Sequence, residues 1–176
     1  MRIKSVGLAL TLLMAINSNA QVVKMRPTFG FDLIFSKPVG NFSEEVRFGA
    51  GAEVYGGVGW EKTFLLATTG YRLLADEWCM CYNLLEYVPV KVGVKHFVSA
   101  KTMFMQGDVG IASVKSGGAV QASFAADLGI GVQLSKFQLG LFYETFRRRK
   151  YYEQNSSNAS SFNAKIGFNF SSRHED

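Results

Sequence analysis

Histidine is the side chain that most often serves as a general base near neutral pH, and the sequence contains two, His96 and His174. His174 lies in a polar stretch. His96 precedes Ser99 by three residues and carboxylates occur elsewhere, so a Ser–His–acid enzyme that modifies lipids is one hypothesis. The sequence does not show which carboxylate would be the acid of this triad, because a triad is defined by its geometry in the fold and not by sequence spacing. The sequence therefore favours a protein that is not an enzyme, with a lipid-modifying enzyme as the alternative.

The two cysteines, Cys79 and Cys81, are separated by one residue. Neighbours on one strand face are too close and too parallel for an unstrained disulfide, and a metal site needs more ligands at a recognisable spacing. The glycine-rich segment 49–59 lacks the lysine and the following helix of a phosphate-binding loop. We therefore predict no metal, cofactor or nucleotide site and interpret the cysteines as incidental loop residues.

Positive charge is concentrated where Arg147, Arg148, Arg149 and Lys150 precede two tyrosines. Guanidinium and ammonium groups form charge-assisted hydrogen bonds with phosphates, so this cluster is a candidate contact for lipopolysaccharide. The alternative is a strand end that is only solvated. The formal net charge of +5 is otherwise thinly spread, and one short basic cluster does not predict a nucleic-acid partner.

The first twenty residues have the composition of an export signal. Arg2 and Lys4 form a basic start, an apolar stretch covers residues 6–16, and Ser18 and Ala20 are the small residues that a signal peptidase requires. An apolar stretch of about eleven residues is too short for a membrane-spanning helix. We predict that residues 1–20 are a signal peptide and that residues 21–176 form one exported domain.

Apolar and polar residues alternate with a period of two along nearly all of the remaining chain, which is typical of strands with two different faces. The pattern is clearest over residues 46–60, 120–134 and 162–170, and five more segments follow it: 28–36, 63–74, 84–98, 101–114 and 137–146. The connections alternate in length, with long ones at 37–45, 75–83 and 147–160 and an intermediate one at 115–119. Long loops on one side and short turns on the other are typical of outer-membrane barrels. We predict an all-β protein, an eight-stranded antiparallel up-and-down transmembrane β-barrel.

The composition of the polar face indicates that the apolar face contacts lipid. The polar face carries many glycines, which a narrow lumen accommodates and a solvated surface does not need. It also carries five acidic and five basic residues, which can pair inside a barrel. These are Asp32, Glu53, Asp108, Asp127 and Glu144 against Arg47, Arg72, Lys91, Lys95 and Lys165. We predict a lumen filled by side chains with little conductance; the alternative is a soluble, lipocalin-like binding barrel.

Two runs of the chain, 87–95 (YVPVKVGVK) and 104–110 (FMQGDVG), carry a family resemblance. They resemble the small outer-membrane β-barrel domain family of Gram-negative bacteria, which has the general shape of the OmpA membrane domain. The resemblance covers residues 25–171. It implies a bacterial outer-membrane location, contact with membrane lipid and lipopolysaccharide, insertion by the barrel-assembly machinery, and a structural or surface-interaction role, with the oligomeric state open. One departure is that residues 171–176 follow Phe170, whereas the family commonly ends on the aromatic residue that this machinery recognises.

Overall fold

The structure is a computed structural model of the chain that describes residues 25–75, 85–99, 102–116, 119–149 and 156–170. The predicted signal peptide, together with Cys79 and Cys81, lies outside these residues. In the described part of the chain, no helix has both the length and the apolar character to cross a membrane.

Eight consecutive strands make up the described chain. They are β1 (Arg26–Val39), β2 (Phe48–Trp60), β3 (Thr63–Ala75), β4 (Leu85–Ser99), β5 (Met103–Ser116), β6 (Ala119–Leu134), β7 (Phe137–Arg149) and β8 (Ser156–Asn169). Each strand pairs antiparallel with the next, and β8 pairs with β1, so the sheet closes on itself. A short 3-10 helix, Gly40–Glu44, lies between β1 and β2. The predicted eight-stranded up-and-down barrel is confirmed.

The alternation of residue types determines which face of each strand points outward. In β4, Val88, Val90 and Val92 are exposed, whereas Pro89 and Lys91 are almost completely buried. This follows because successive side chains of a strand point to opposite faces of the sheet. The other strands also point apolar residues outward, and most of their glycine and polar residues point inward, as predicted.

The register of the strands sets their tilt. A path that starts at Phe29 and passes through the directly paired residue of each strand in turn returns to β1 at Val39, ten residues further along. With a rise of about 3.3 Å per residue and about 4.8 Å between strands, this displacement gives a tilt of about 40° and a backbone radius of about 8 Å. Long side chains from opposite walls can therefore meet in the lumen.

Three short connections lie at one end of the barrel, together with residues 25 and 170. They are residues 61–62, 100–102 and 135–136, and short turns mark the periplasmic end of an outer-membrane barrel. Residues 40–47, 76–84, 117–118 and 150–155 connect the strands at the outer end. The first two are long, as predicted. Residues 117–118 are fewer than the intermediate connection predicted at 115–119, because Ser116 of β5 and Ala119 of β6 already pair. The last is shorter than predicted, because residues 147–149 of β7 pair with residues 156–158 of β8 and extend both strands.

Candidate functional site

A network of ion pairs fills the middle of the lumen. Arg72 on β3 joins Glu53 on β2 to Glu144 on β7: its Nη2 is 3.0 Å from Glu53 Oε1, and its Nη1 donates to Glu144 Oε2. Lys165 on β8 reaches Glu53 Oε2 at 2.8 Å. Lys91 on β4 lies 3.1 Å from Glu144 Oε1 and 3.5 Å from Glu53 Oε1. All five side chains are buried, so the network ties five strands together across the lumen.

Neutral donors complete the environment of Glu144. The Tyr87 hydroxyl donates to Oε1 at 2.8 Å, and the Asn163 amide donates to Oε2 at 2.8 Å. A buried charge is tolerated when it is both paired and hydrogen-bonded. Glu144 meets both conditions and is the best-satisfied carboxylate of the lumen.

A second polar group lies nearer the periplasmic end. Lys95 donates to Gln138 Oε1 at 2.7 Å, and the Gln138 amide donates to Asp32. The Lys95 ammonium also lies 3.9 Å from the ring centroid of Phe104, within the range of a cation–π interaction. Gln138 therefore connects a cation and an anion that do not touch.

Nine charged side chains are buried in the lumen within the described residues, five acidic and four basic. They are Asp32, Glu53, Asp108, Asp127 and Glu144 against Arg72, Lys91, Lys95 and Lys165. The tenth residue of the prediction, Arg47, was placed wrongly. Arg47 is exposed and precedes β2, and its backbone N–H donates to the Ala75 carbonyl at the outer rim. Arg47 therefore does not point into the lumen, and the predicted balance of five and five is wrong.

The lumen holds one more acidic than basic residue, and two of its acids lie next to each other. Asp108 lies directly opposite Asp127 in the register of β5 and β6. Gln106 donates to Asp108 Oδ2 at 2.8 Å, and Lys91 donates to Asp127 Oδ2. Oδ1 of each aspartate is buried without a hydrogen-bond partner in the described residues. This pair is therefore the least satisfied place in the lumen.

Glycines provide the space for the buried charges. Six of the nine charged residues lie directly opposite a glycine on a neighbouring strand: Asp32–Gly167, Glu53–Gly70, Arg72–Gly51, Lys91–Gly110, Asp108–Gly93 and Lys165–Gly140. A Cβ atom added at Gly93 or Gly167 would overlap the carboxylate opposite. The inward glycines are thus explained by the bulk of their partners.

Apolar side chains close both ends of the lumen, which the sequence analysis did not predict. At the outer end, Phe42 and Val46 enter from the connection between β1 and β2 and pack with inward wall residues. Phe42 contacts the Phe146 ring edge-to-face at 5.6 Å. At the periplasmic end a second cluster contains Phe64, Phe97, Phe104 and Phe142. The sequence does contain a feature that could have predicted these clusters. Large aromatic residues occupy some of the inward positions, where glycine or a polar residue is otherwise found.

His96 points outward near the periplasmic end of β4. Its Nδ1 is 2.9 Å from the Thr63 hydroxyl, and both side chains are at the surface. The side chain of Ser99 and the whole of His174 lie outside the described residues, and within those residues the hydrogen-bond partner of His96 is Thr63. In the part that the structure describes, no three His, Cys, Asp or Glu side chains are grouped to hold a metal ion.

The basic cluster of the sequence lies at the outer end of β7. Arg147 is exposed, and its backbone carbonyl accepts a hydrogen bond from Ser123. Arg148 and Arg149 continue the strand opposite Ser157 and Ser156. The side chains of these two arginines, and Lys150 altogether, lie outside the described residues.

The outward surface is apolar along the middle of every strand. Large side chains such as Leu33, Val90, Ile111 and Leu141 each expose roughly half of their area. Phe29, Trp60 and Phe170 are exposed near strand ends, whereas Tyr71 and Tyr143 are exposed within β3 and β7. Such a surface is stable in hydrocarbon, and the closed sheet leaves no backbone edge unpaired there.

A comparison with known proteins agrees with this architecture. The sequence matches no protein-family model, and no curated protein matches it. The N-terminal β-barrel domain of Pseudomonas aeruginosa OprF superposes with a TM-score of 0.61 at 9% identity, covering 84% of this chain and 100% of that one. Neisserial surface protein A (NspA) superposes with a TM-score of 0.51 at 10% identity, covering 81% of this chain and 95% of that one. The chain therefore has the fold of the small OmpA-like outer-membrane β-barrels, and its apolar exterior is that of an outer-membrane protein.

Proposed function

We propose that this protein is a non-enzymatic, integral outer-membrane barrel whose function is structural or depends on surface interactions at its outer end. Export through a signal peptide at residues 1–20 and insertion by the barrel-assembly machinery are parts of the same proposal. The observation that supports this proposal is the filled lumen. Ion pairs join opposite walls in the middle, and apolar clusters cover both ends.

Electrical recording tests the filled lumen. The purified protein in a planar lipid bilayer should give no large, stable openings, because no continuous water path is expected through a lumen of this kind. A variant in which Arg72, Lys91 and Glu144 are all replaced by alanine should conduct more, since it removes the side chains that cross the middle. Frequent large openings of the unmodified protein would contradict the proposal.

Gel mobility tests the barrel itself. Closed membrane barrels stay folded in detergent until they are heated, so the unheated and boiled protein should migrate differently. Recovery of the protein in a detergent-free soluble fraction would instead favour the lipocalin-like alternative.

The outer end of β7 is the proposed contact for lipopolysaccharide, through Arg147, Arg148, Arg149 and Lys150. Strands of 13 to 16 residues, tilted by about 40°, span roughly 33–40 Å along the barrel axis, which exceeds the apolar band of about 25 Å. The upper part of β7 therefore reaches the phosphate level of the outer leaflet. Replacing Arg147 by glutamate should lower the amount of lipopolysaccharide that copurifies, and unchanged retention would dismiss the contact.

A further inference from the structure

Cations from two separate parts of the chain lie on the outward face near the β1–β8 seam. Lys37 on β1 is exposed, and its Nζ is 3.4 Å from the carbonyl oxygen of Arg47, which is exposed beside it. Arg147 on β7 is exposed on the other side of β8. We call the outer-end surface formed by Lys37, Arg47, Thr145, Arg147 and Ser160 the seam facet.

The register gives the separation of the two basic ends of the seam facet. Lys37 pairs with Phe162 on β8, Phe162 pairs with Tyr143 on β7, and Arg147 lies four residues above Tyr143. Two strand spacings across and four residues along give about 16 Å between the Lys37 and Arg147 backbones. Both side chains are long and flexible, so they can hold two anionic groups on one ligand.

The seam facet lies at the depth of a lipid headgroup. Lys37 is eight residues above Phe29, and Arg147 is ten residues above Phe137; Phe29 and Phe137 are outward aromatic residues at the periplasmic end. At a tilt of about 40°, these intervals correspond to roughly 20 and 25 Å along the barrel axis, close to the thickness of the apolar band.

The residues between and below the cations suit the same ligand. The Ser160 hydroxyl donates to the Thr145 hydroxyl at 3.3 Å, which places polar groups between the two basic ends. Below them Phe35, Tyr143 and Phe162 are outward and about half exposed. Ser160 lies two residues above Phe162, the partner of Lys37, so the hydroxyls lie beside the cations and the aromatic residues lie below them. This arrangement matches sugar and phosphate above acyl chains.

The same level on the other side of the barrel is different. There Lys115 on β5 is paired with Glu86 on β4 at 2.9 Å, and both are partly exposed. Lys115 is therefore a basic residue near the same level whose charge is shared with a neighbouring carboxylate, and it serves as a comparison for the seam facet.

We propose that the seam facet binds one phosphorylated glycolipid of the outer leaflet, with one phosphate near Lys37 and Arg47 and a second near Arg147. This inference rests on the proposed outer-membrane function and names its lipid partner. The ligand class is a diphosphorylated lipid A, held by charge-assisted hydrogen bonds at two points and by acyl contact with the aromatic residues below.

The test measures lipid binding by the full protein folded in phosphatidylcholine vesicles, with diphosphoryl lipid A, monophosphoryl lipid A or inorganic phosphate added. The double variant Lys37→Gln, Arg147→Gln should bind diphosphoryl lipid A about 30-fold more weakly, because each cation near an anionic surface contributes about 1 kcal/mol. Lys115→Gln is the matched control and should bind as the unmodified protein does.

Two results support the inference together: the selective loss in the double variant, and weaker binding of monophosphoryl lipid A than of the diphosphoryl form. Equal binding by the double variant and the Lys115→Gln control would overturn it. Full competition by inorganic phosphate would also overturn it, since that result assigns the cations to a free anion. The shift in gel mobility on heating is recorded for each variant in plain phosphatidylcholine; its absence from the unmodified protein would count against the proposed function itself.

Discussion

Lys91 should contribute far more to stability than any surface lysine, because it holds three carboxylates in the lumen. It contacts Glu53, Asp127 and Glu144. Methionine has a similar volume and no charge, so Lys91→Met removes the cation without opening a large cavity. The lost free energy of unfolding should then come from the carboxylates that are left unpaired.

Asp127 determines the size of this loss. After the substitution Glu53 and Glu144 both still contact Arg72, whereas Lys91 is the only ion-pair partner of Asp127 in the described residues. Removing one partner of a buried pair costs about 3–5 kcal/mol when the other charge stays buried. We therefore expect Lys91→Met to lower the free energy of unfolding by about 3–5 kcal/mol rather than by three times that amount.

Urea unfolding in lipid vesicles, followed by gel mobility, measures this change by linear extrapolation. Lys115→Met is the matched control, since Lys115 makes its ion pair with Glu86 at the surface, where such pairs contribute little. Adding Asp127→Asn to Lys91→Met should recover part of the loss, because the orphaned charge is then gone. The reasoning would be refuted if Lys91→Met and Lys115→Met had equal effects, or if the double variant were no more stable than Lys91→Met alone.

Three further substitutions test other parts of the structure. Gly93→Ala should lower the free energy of unfolding by about 1–3 kcal/mol, because its Cβ would overlap Asp108; Gly56→Ala, where the nearest atom is 3.9 Å away, should not lower it. Ser135→Gly should raise the free energy of unfolding by about 1 kcal/mol, since Ser135 has a φ of 56°; an unchanged urea midpoint would argue against strain in this turn. Phe42→Ala should speed protease cleavage within residues 40–47 without changing the melting of the barrel, and equal cleavage rates would show that Phe42 does not hold this segment.

The strands and their faces could be predicted from the sequence because the side-chain period of two is a local property. In β6 and β8 the period is nearly unbroken, and both strands have the predicted inward and outward residues. The outer ends of β7 and β8 were missed for a related reason. The paired residues there, 147–149 and 156–158, are all polar. The alternation of apolar and polar residues has therefore ended, although the strand pairing continues.

The partners inside the lumen could not be predicted, because they depend on the displacement of ten residues around the barrel. Nine of the ten charged residues predicted to point inward do so, yet nothing local indicates that Arg72 contacts Glu144, 72 residues away. The apolar cluster at the outer end was not predicted because Phe42 lies in a connection between strands. The alternation of residue types does not indicate which way a side chain points there. The seam facet likewise combines Lys37 and Arg147 from distant parts of the chain.

The buried charges also explain how one register is selected. Moving β7 by one residue against β6 would turn its apolar residues into the lumen, so that error is excluded by the outward face alone. Moving β7 by two residues would keep every face correct and leave the lipid-exposed surface unchanged. It would, however, move Glu144 by about 7 Å along the strand, away from Arg72, Lys91 and Tyr87. Unpaired buried charges are costly. The ion pairs therefore favour this register over registers slipped by two residues, which the apolar surface alone would not disfavour.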